Sequence, residues 1–216
     1  MGAAGDNWTL AIITELGSGR TRLSTLRERL AGVSAAVLDR YLQRMGESGL
    51  VRRERYREMP PRVELELTEA GRELLPIATL LTHWGLRWAW SDARDGEIVD
   101  LNALLRSLPS LIEGRIEPGE GVVELVLEER GGARRHLAIV ERGSVRMHPG
   151  EGASPPEPDA GVRGDWRGWS AALGPDAVAR GLVFSGRTEL AEGLLDAIVR
   201  PAYEPADGQG AEESAA

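Results

Sequence analysis

The sequence predicts an α+β fold in two parts: an N-terminal winged helix-turn-helix domain over residues 1–91 and a C-terminal domain of strands and helices over 97–200. Three observations predict it. Residues 20–68 read as helix, tight turn, helix, strand, basic tip, strand. From Arg20 to Arg62 eleven Arg stand against five acids, a local balance of +6 in a chain of net charge −8, which leaves −14 for the remainder. The polar, turn-rich run SDARDG at 91–96 then marks a boundary, and 216 residues suit two cores better than one.

In the first domain, Asn7 to Leu16 places Trp8, Ile12, Ile13 and Leu16 on one helical face, and Gly17-Ser18-Gly19 ends that helix. Thr21 is expected to cap a short helix to Leu30, in which Leu23, Leu26 and Leu30 recur at helical spacing. Ala31-Gly32-Val33 turns the chain into Ser34, the cap of a third helix to about Ser48. Val37 or Leu38, with Tyr41, Leu42 and Met45, face inward there. Ser34, Ala35, Asp39, Arg40, Gln43 and Arg44 are left outside.

After Gly49, two strands are expected over Leu50–Arg57 and Val63–Leu67, joined by a tip that Pro60 and Pro61 stiffen through fixed φ angles. Arg55, Arg57 and Arg62 flank this wing. Thr68 is expected to cap one helix running to Trp90, apolar on more than one side, with its own domain as one neighbour and a second subunit as the other.

In the second domain, Asp100 to Ile112 gives an amphipathic helix with Leu101, Leu104, Leu105 and Leu108 inward, ending near Pro109. Strands follow at Val122–Leu127, His136–Val140 and Ser144–His148, with turns at Arg130-Gly131-Gly132 and Arg142-Gly143, so an antiparallel meander is the simplest pairing. Pro149–Pro158 is a loop. A short strand at Gly161–Gly164, the pair Trp166 and Trp169, a strand at Leu182–Ser185 and a closing helix Thr188–Ile198 complete it. The small, acidic stretch 201–216 is expected to be a disordered tail.

Composition removes several function classes. With no cysteine, disulfides, zinc ribbons and thiol switches are excluded. His83, His136 and His148 are too scattered for a metal site, no phosphate-loop or nucleophile-elbow motif occurs, and no catalytic residue or cofactor is assigned. No apolar run reaches the roughly 18 residues of a membrane helix, so no membrane partner and a cytoplasmic location are expected. All basic side chains are Arg.

A locally basic winged helix on an acidic chain is the electrostatic footprint of a protein that binds double-stranded DNA, because guanidinium groups displace the counterions of phosphates. The candidate contacts are Arg20, Arg22, Ser34, Ala35, Arg40, Gln43, Arg44, Arg55, Arg57 and Arg62. Arg40 and Arg44 have an alternative as surface ion-pair partners of Asp39 and Glu47.

Residues Trp8 to Gly85 resemble the HxlR-type winged-helix transcription regulators, a group similar to MarR-type regulators. The resemblance rests on Trp8-Thr9-Leu10, Leu30-Ala31-Gly32-Val33-Ser34, Gly49-Leu50-Val51, Pro60-Pro61-Arg62-Val63, Leu67-Thr68-Glu69-Ala70-Gly71 and Trp84-Gly85. It implies a homodimer, paired through first and last helices, with a recognition helix in each of two successive major grooves. Members with a reactive cysteine near the first helix differ from this chain, which has none.

Residues 100–199 resemble a sterol-carrier-protein type domain through Gly164-Asp165-Trp166, the Trp-rich short helix, Gly181, Ser185-Gly186 and the Leu190, Leu194, Leu195, Ile198 stripe. That resemblance implies a mixed sheet covered by helices, with an apolar tunnel for hydrophobic small molecules. Trp166, Trp169 and Phe184 either wall such a pocket or simply fill core volume. The expected function is a homodimeric transcription regulator gated by a hydrophobic effector. The alternative is a lipid-binding or transfer protein whose winged helix mediates protein contacts.

Overall fold

The computed structural model describes residues 7–30, 32–57, 62–89, 101–112, 115–116, 119–148, 154–174 and 176–199. The wing tip with Pro60 and Pro61, the expected boundary at 91–96, most of the loop before Pro155, Trp90 and the tail 201–216 lie outside them.

The N-terminal region begins with α1 (Asn7–Gly17), in which Ile12, Ile13 and Leu16 are fully buried as their spacing dictates. Thr21 does not cap the next helix. Thr21–Arg22 form a short strand β1, and the Thr21 hydroxyl donates to the Gly19 carbonyl. Helix α2 (Leu23–Arg29) therefore starts from Arg22 without a side-chain cap. Ser34 caps α3 (Ala35–Glu47), its Oγ accepting from the Val37 N–H at 3.4 Å, and Leu38, Leu42 and Met45 form the buried stripe.

Strands β2 (Val51–Tyr56) and β3 (Arg62–Leu67) pair antiparallel from Val51↔Leu67 to Tyr56↔Arg62, and β1 adds to the far side of β3. Thr68 caps α4 (Glu69–Arg72), accepting from the Gly71 N–H at 3.2 Å while donating to the Gly49 carbonyl at 2.5 Å. Only glycine fits at 71, since a Cβ there would come within 2.2 Å of the Leu50 carbonyl oxygen.

The single long helix expected after Thr68 is broken. Leu75–Trp84 form a separate helix α5 with Pro76 in its first turn, and Gly85–Ala89 continue as a π-helical turn. Proline lacks the N–H of a continuing helix and its ring clashes with the carbonyl one turn back, so the chain restarts there.

The C-terminal region opens with α6 (Leu101–Arg106) and α7 (Leu108–Ile112), which divide at Ser107 the one helix expected over 100–112. Strands β4 (Gly121–Glu129), β5 (Gly132–Glu141) and β6 (Ser144–Met147) form the expected meander. Arg142 and Gly143 both take positive φ in the β5–β6 turn, as a tight hairpin requires. Strand β7 (Ala160–Asp165) joins β4 in parallel, and after α8 (Trp166–Leu173), β8 (Val183–Gly186) pairs antiparallel with β7. The resulting mixed sheet has the order β6-β5-β4-β7-β8, and α9 (Thr188–Val199) closes the region.

Two hydrophobic clusters stabilise these parts. One gathers Ile12, Ile13, Leu16, Leu26, Leu38 and Met45; the other gathers Leu105, Leu108, Val123, Leu125, Val162 and Trp169. Each fully buried aliphatic side chain contributes about 1.5–3 kcal/mol. Leu86, on the N-terminal side of the boundary expected from the sequence, belongs to the second cluster. Helix α5 contacts both α1 and α7, so it joins the two regions.

Candidate nucleic-acid interface

Helix α3 packs its buried stripe against the N-terminal core and contacts β2, which leaves Ser34, Ala35, Arg40, Gln43 and Arg44 exposed. The alternative partners of the two arginines are occupied by other groups. Asp39 is held by Arg27 (Nη2–Oδ2 2.8 Å), and Glu47 accepts from Gln43 Nε2 at 2.9 Å. Arg44 lies over the Tyr41 ring, 5.7 Å from its centroid. Arg40 makes no ion pair or hydrogen bond among the described residues, and neither do the exposed Arg53, Arg55 and Arg57 of β2 and the residue after it.

The other wing arginines are committed to the protein's own carboxylates. Arg20 donates to the Tyr56 hydroxyl at 2.7 Å and meets Glu54 at 3.1 Å, Glu66 at 3.3 Å and Glu64 at 3.7 Å. Glu66 also accepts from Arg52 (2.8 Å) and Arg72 (2.9 Å), and hydrogen bonding by Arg52, more than any other contact, holds its carboxyl below the usual glutamate range. Arg62 sits 3.1 Å from Glu64, with its guanidinium over the Tyr56 ring. Arg20 and Arg62, expected at phosphates, thus fasten β1, β2 and β3 together. Arg22 stays exposed on β1. The local +6 overstates the charge facing outward, because part of it is neutralised by acids of β3.

A second surface feature lies on α5 and the π-helical turn. Ile77, Leu80, Leu81, Trp84 and Trp88 follow helical spacing and each is at least half exposed. With α1 and α7 on its other sides, this helix is apolar on a face that nothing in the chain covers among the described residues.

Between the two regions runs a polar seam that the sequence analysis missed. Glu15, whose side chain is 3% exposed, binds Arg106 at 2.6 Å through Nη2, with Nε 3.1 Å from its other oxygen, and has Arg29 at 3.7 Å. Its signal was legible: position 15 falls on the same helical face as Ile12, where an apolar residue is expected. His83 of α5 is also buried, with Nε2 2.9 Å from the Leu111 carbonyl and against the Arg115 guanidinium. Burial, and then the positive charge of Arg115, hold its pKa below the usual histidine value.

A histidine depressed in this way stabilises the fold fully above the unfolded value near 6.5, and that contribution is lost as pH falls from there through the folded value. The melting temperature should therefore drop more between pH 7 and pH 5 in the natural protein than in His83→Gln. Parallel pH profiles would show that His83 does not couple protonation to folding.

Trp169, expected either to wall a pocket or to fill core, is fully buried and donates its indole N–H to the Val126 carbonyl at 3.0 Å. Trp166 and Phe184 pack, partly buried, against the same cluster. Among the described residues no group of His, Asp or Glu is placed to hold a metal ion, and no helix is long and apolar enough to cross a membrane.

Residues 3–93 match the family model described as HxlR-like helix-turn-helix. An uncharacterized HTH-type transcriptional regulator of Methanothermobacter thermautotrophicus is 36% identical over 93 residues, 43% of this chain and 71% of the relative. The uncharacterized HTH-type transcriptional regulator YkvN of Bacillus subtilis is 33% identical over 93 residues, 43% of this chain and 79% of its own length. Among solved structures, the redox regulator HypR in its oxidized form is 30% identical, covering 42% of this chain and 92% of its own, with a TM-score of 0.39. Each of these alignments spans less than half of the present chain.

Proposed function

Since the chain belongs to the HxlR-like helix-turn-helix family, we propose that it is a transcription regulator that binds double-stranded DNA as a homodimer. The observation that carries this reading is the set of exposed guanidinium groups, Arg40 on α3 and Arg53, Arg55 and Arg57 on the wing, that have no partner among the described residues. Arg40, Gln43 and Arg44, with Ser34 and Ala35 at the start of α3, take the major groove; Arg22, Arg53, Arg55 and Arg57 take the phosphates. Arg20 and Arg62 act indirectly, by fixing the wing. The exposed stripe of α5 is the dimer contact, and a hydrophobic small molecule is the effector.

The sterol-carrier likeness of residues 100–199 belongs to the same proposal, supported by the five-stranded mixed sheet with α6–α9 against it. Thiol-based sensing is chemically closed to this chain, which has no cysteine.

Selection of bound duplexes from a random pool tests the reading and supplies a site for mutants. Arg40→Ala should lose about 1–3 kcal/mol on the selected site and relax preference at one base position. Arg55→Ala or Arg57→Ala should weaken selected and random duplexes about equally and lower the salt slope by about one. A pool that shows no enrichment, with all three variants indistinguishable from the natural protein, would contradict it.

A further inference from the structure

We infer that the cleft between the winged helix and the sheet region is a binding site for a neutral, largely apolar small molecule about the size of two fused rings and bearing a hydrogen-bond donor. The cleft has a volume of about 310 Å³ and is walled by Thr14 and Glu15 of α1, Leu30 at the end of α2, Thr82 of α5, Leu86 and Leu104. A dry cavity of about 150 Å³ accommodates benzene, so this one has room for a bicyclic molecule. Trp166, Trp169 and Phe184 do not line it.

The lining sets the chemistry of the occupant. The hydroxyls of Thr14, Thr82 and Ser107 each donate to a backbone carbonyl of their own helix or the adjoining one, Leu10 (3.0 Å), Ala78 (2.9 Å) and Leu104 (2.7 Å). A hydroxyl that has spent its proton can only accept. Glu15 also accepts only, and its charge is already balanced by Arg106 and Arg29. The walls thus welcome a phenol, an indole or an uncharged aromatic amine, and they offer a carboxylate no free donor. Gly85 shapes the opening: its backbone is helical, with φ −60°, yet a Cβ there would meet no atom within 4 Å.

Position gives the site its consequence. An occupant touches the end of α2 beside the helix-turn-helix corner, the helix that carries the exposed apolar stripe, and α6 of the sheet region. A molecule that favours one arrangement of these three shifts the population of DNA-competent dimers by its differential affinity. That regulatory half rests on the DNA-binding function proposed above; the site itself does not.

The test is calorimetric titration of the full chain with 2-naphthol, alongside 2-naphthoate as the anionic analogue, in the natural protein and in Gly85→Leu and Thr82→Val. The expected result is one 2-naphthol per chain, no saturable 2-naphthoate, about five-fold weaker binding in Thr82→Val, and none in Gly85→Leu, whose side chain occupies the cleft. If Gly85→Leu loses its circular-dichroism signature, Ala103→Leu fills the same space from α6 and takes its place. Absence of saturable 2-naphthol binding, or equal binding to a folded cleft-filled variant, overturns the site. Saturable binding with unchanged affinity for the selected duplex overturns only the regulatory half. Saturable binding by a chain that binds no duplex at all overturns the transcription reading and leaves the site standing.

Discussion

Leu81→Asp should yield a folded, monomeric protein with at least a hundred-fold weaker hold on a two-half-site operator. Leu81 is half exposed in the single chain, so the carboxylate costs the monomer little. Soluble monomers rarely leave so large an apolar patch in water, and Ile77, Leu80, Trp84 and Trp88 extend it over three turns. Burying the exposed half of each of these five side chains contributes about 1 kcal/mol apiece on each subunit, enough to offset a large part of the cost of association. In a twofold interface the introduced carboxylates come in pairs, and an uncompensated buried charge costs about 3–5 kcal/mol. Loss of the partner turns the second half-site contact from intramolecular to bimolecular, a factor of roughly 10² to 10⁴. Sedimentation equilibrium reads the assembly and gel shift reads the operator; a Leu81→Asp protein that still sediments as a dimer would remove α5 from the interface.

The second large effect belongs to the seam. Arg106→Ala leaves the Glu15 carboxylate buried with only Arg29, 3.7 Å away, and should cost about 3–5 kcal/mol of stability. The double replacement Glu15→Leu with Arg106→Leu should recover most of that loss, because an apolar pair of similar volume does not carry the desolvation penalty of a lone charge. Chemical denaturation of the two singles and the double closes the cycle. A loss under about 0.5 kcal/mol in Arg106→Ala would mean that the pair is as accessible as an ordinary surface ion pair.

The contrast between Ser34 and Thr21 shows what the sequence could disclose. Ser34 caps α3 as expected, because a cap depends on the three residues that follow it. Thr21 has a cap residue's chemistry too, but Leu65, 44 positions away, pairs with it in a sheet, and no local pattern reports such a partner. The parallel β4–β7 pairing escaped for the same reason, whereas the β4–β5–β6 meander followed from turns between neighbours. Arg20 and Arg62 extend the lesson to the interface. A count of charges located the basic module, yet only the register of β2 against β3 shows which guanidinium groups Glu54, Glu64 and Glu66 have already claimed. Pro76 was visible throughout, and its power to divide the helix after Thr68 was underweighted against a long apolar periodicity.

These particulars converge on one electrostatic quantity. The affinity of the full chain for a duplex, measured from about 50 to 200 mM salt, should fall with a slope near −0.9 for each phosphate neutralised. Four contacts in each half of a dimer, at Arg22, Arg53, Arg55 and Arg57, predict a slope of about −7, and Arg55→Ala should bring it to about −5. A slope near zero in the natural protein, with the exposed arginines intact, would contradict DNA binding by this winged helix.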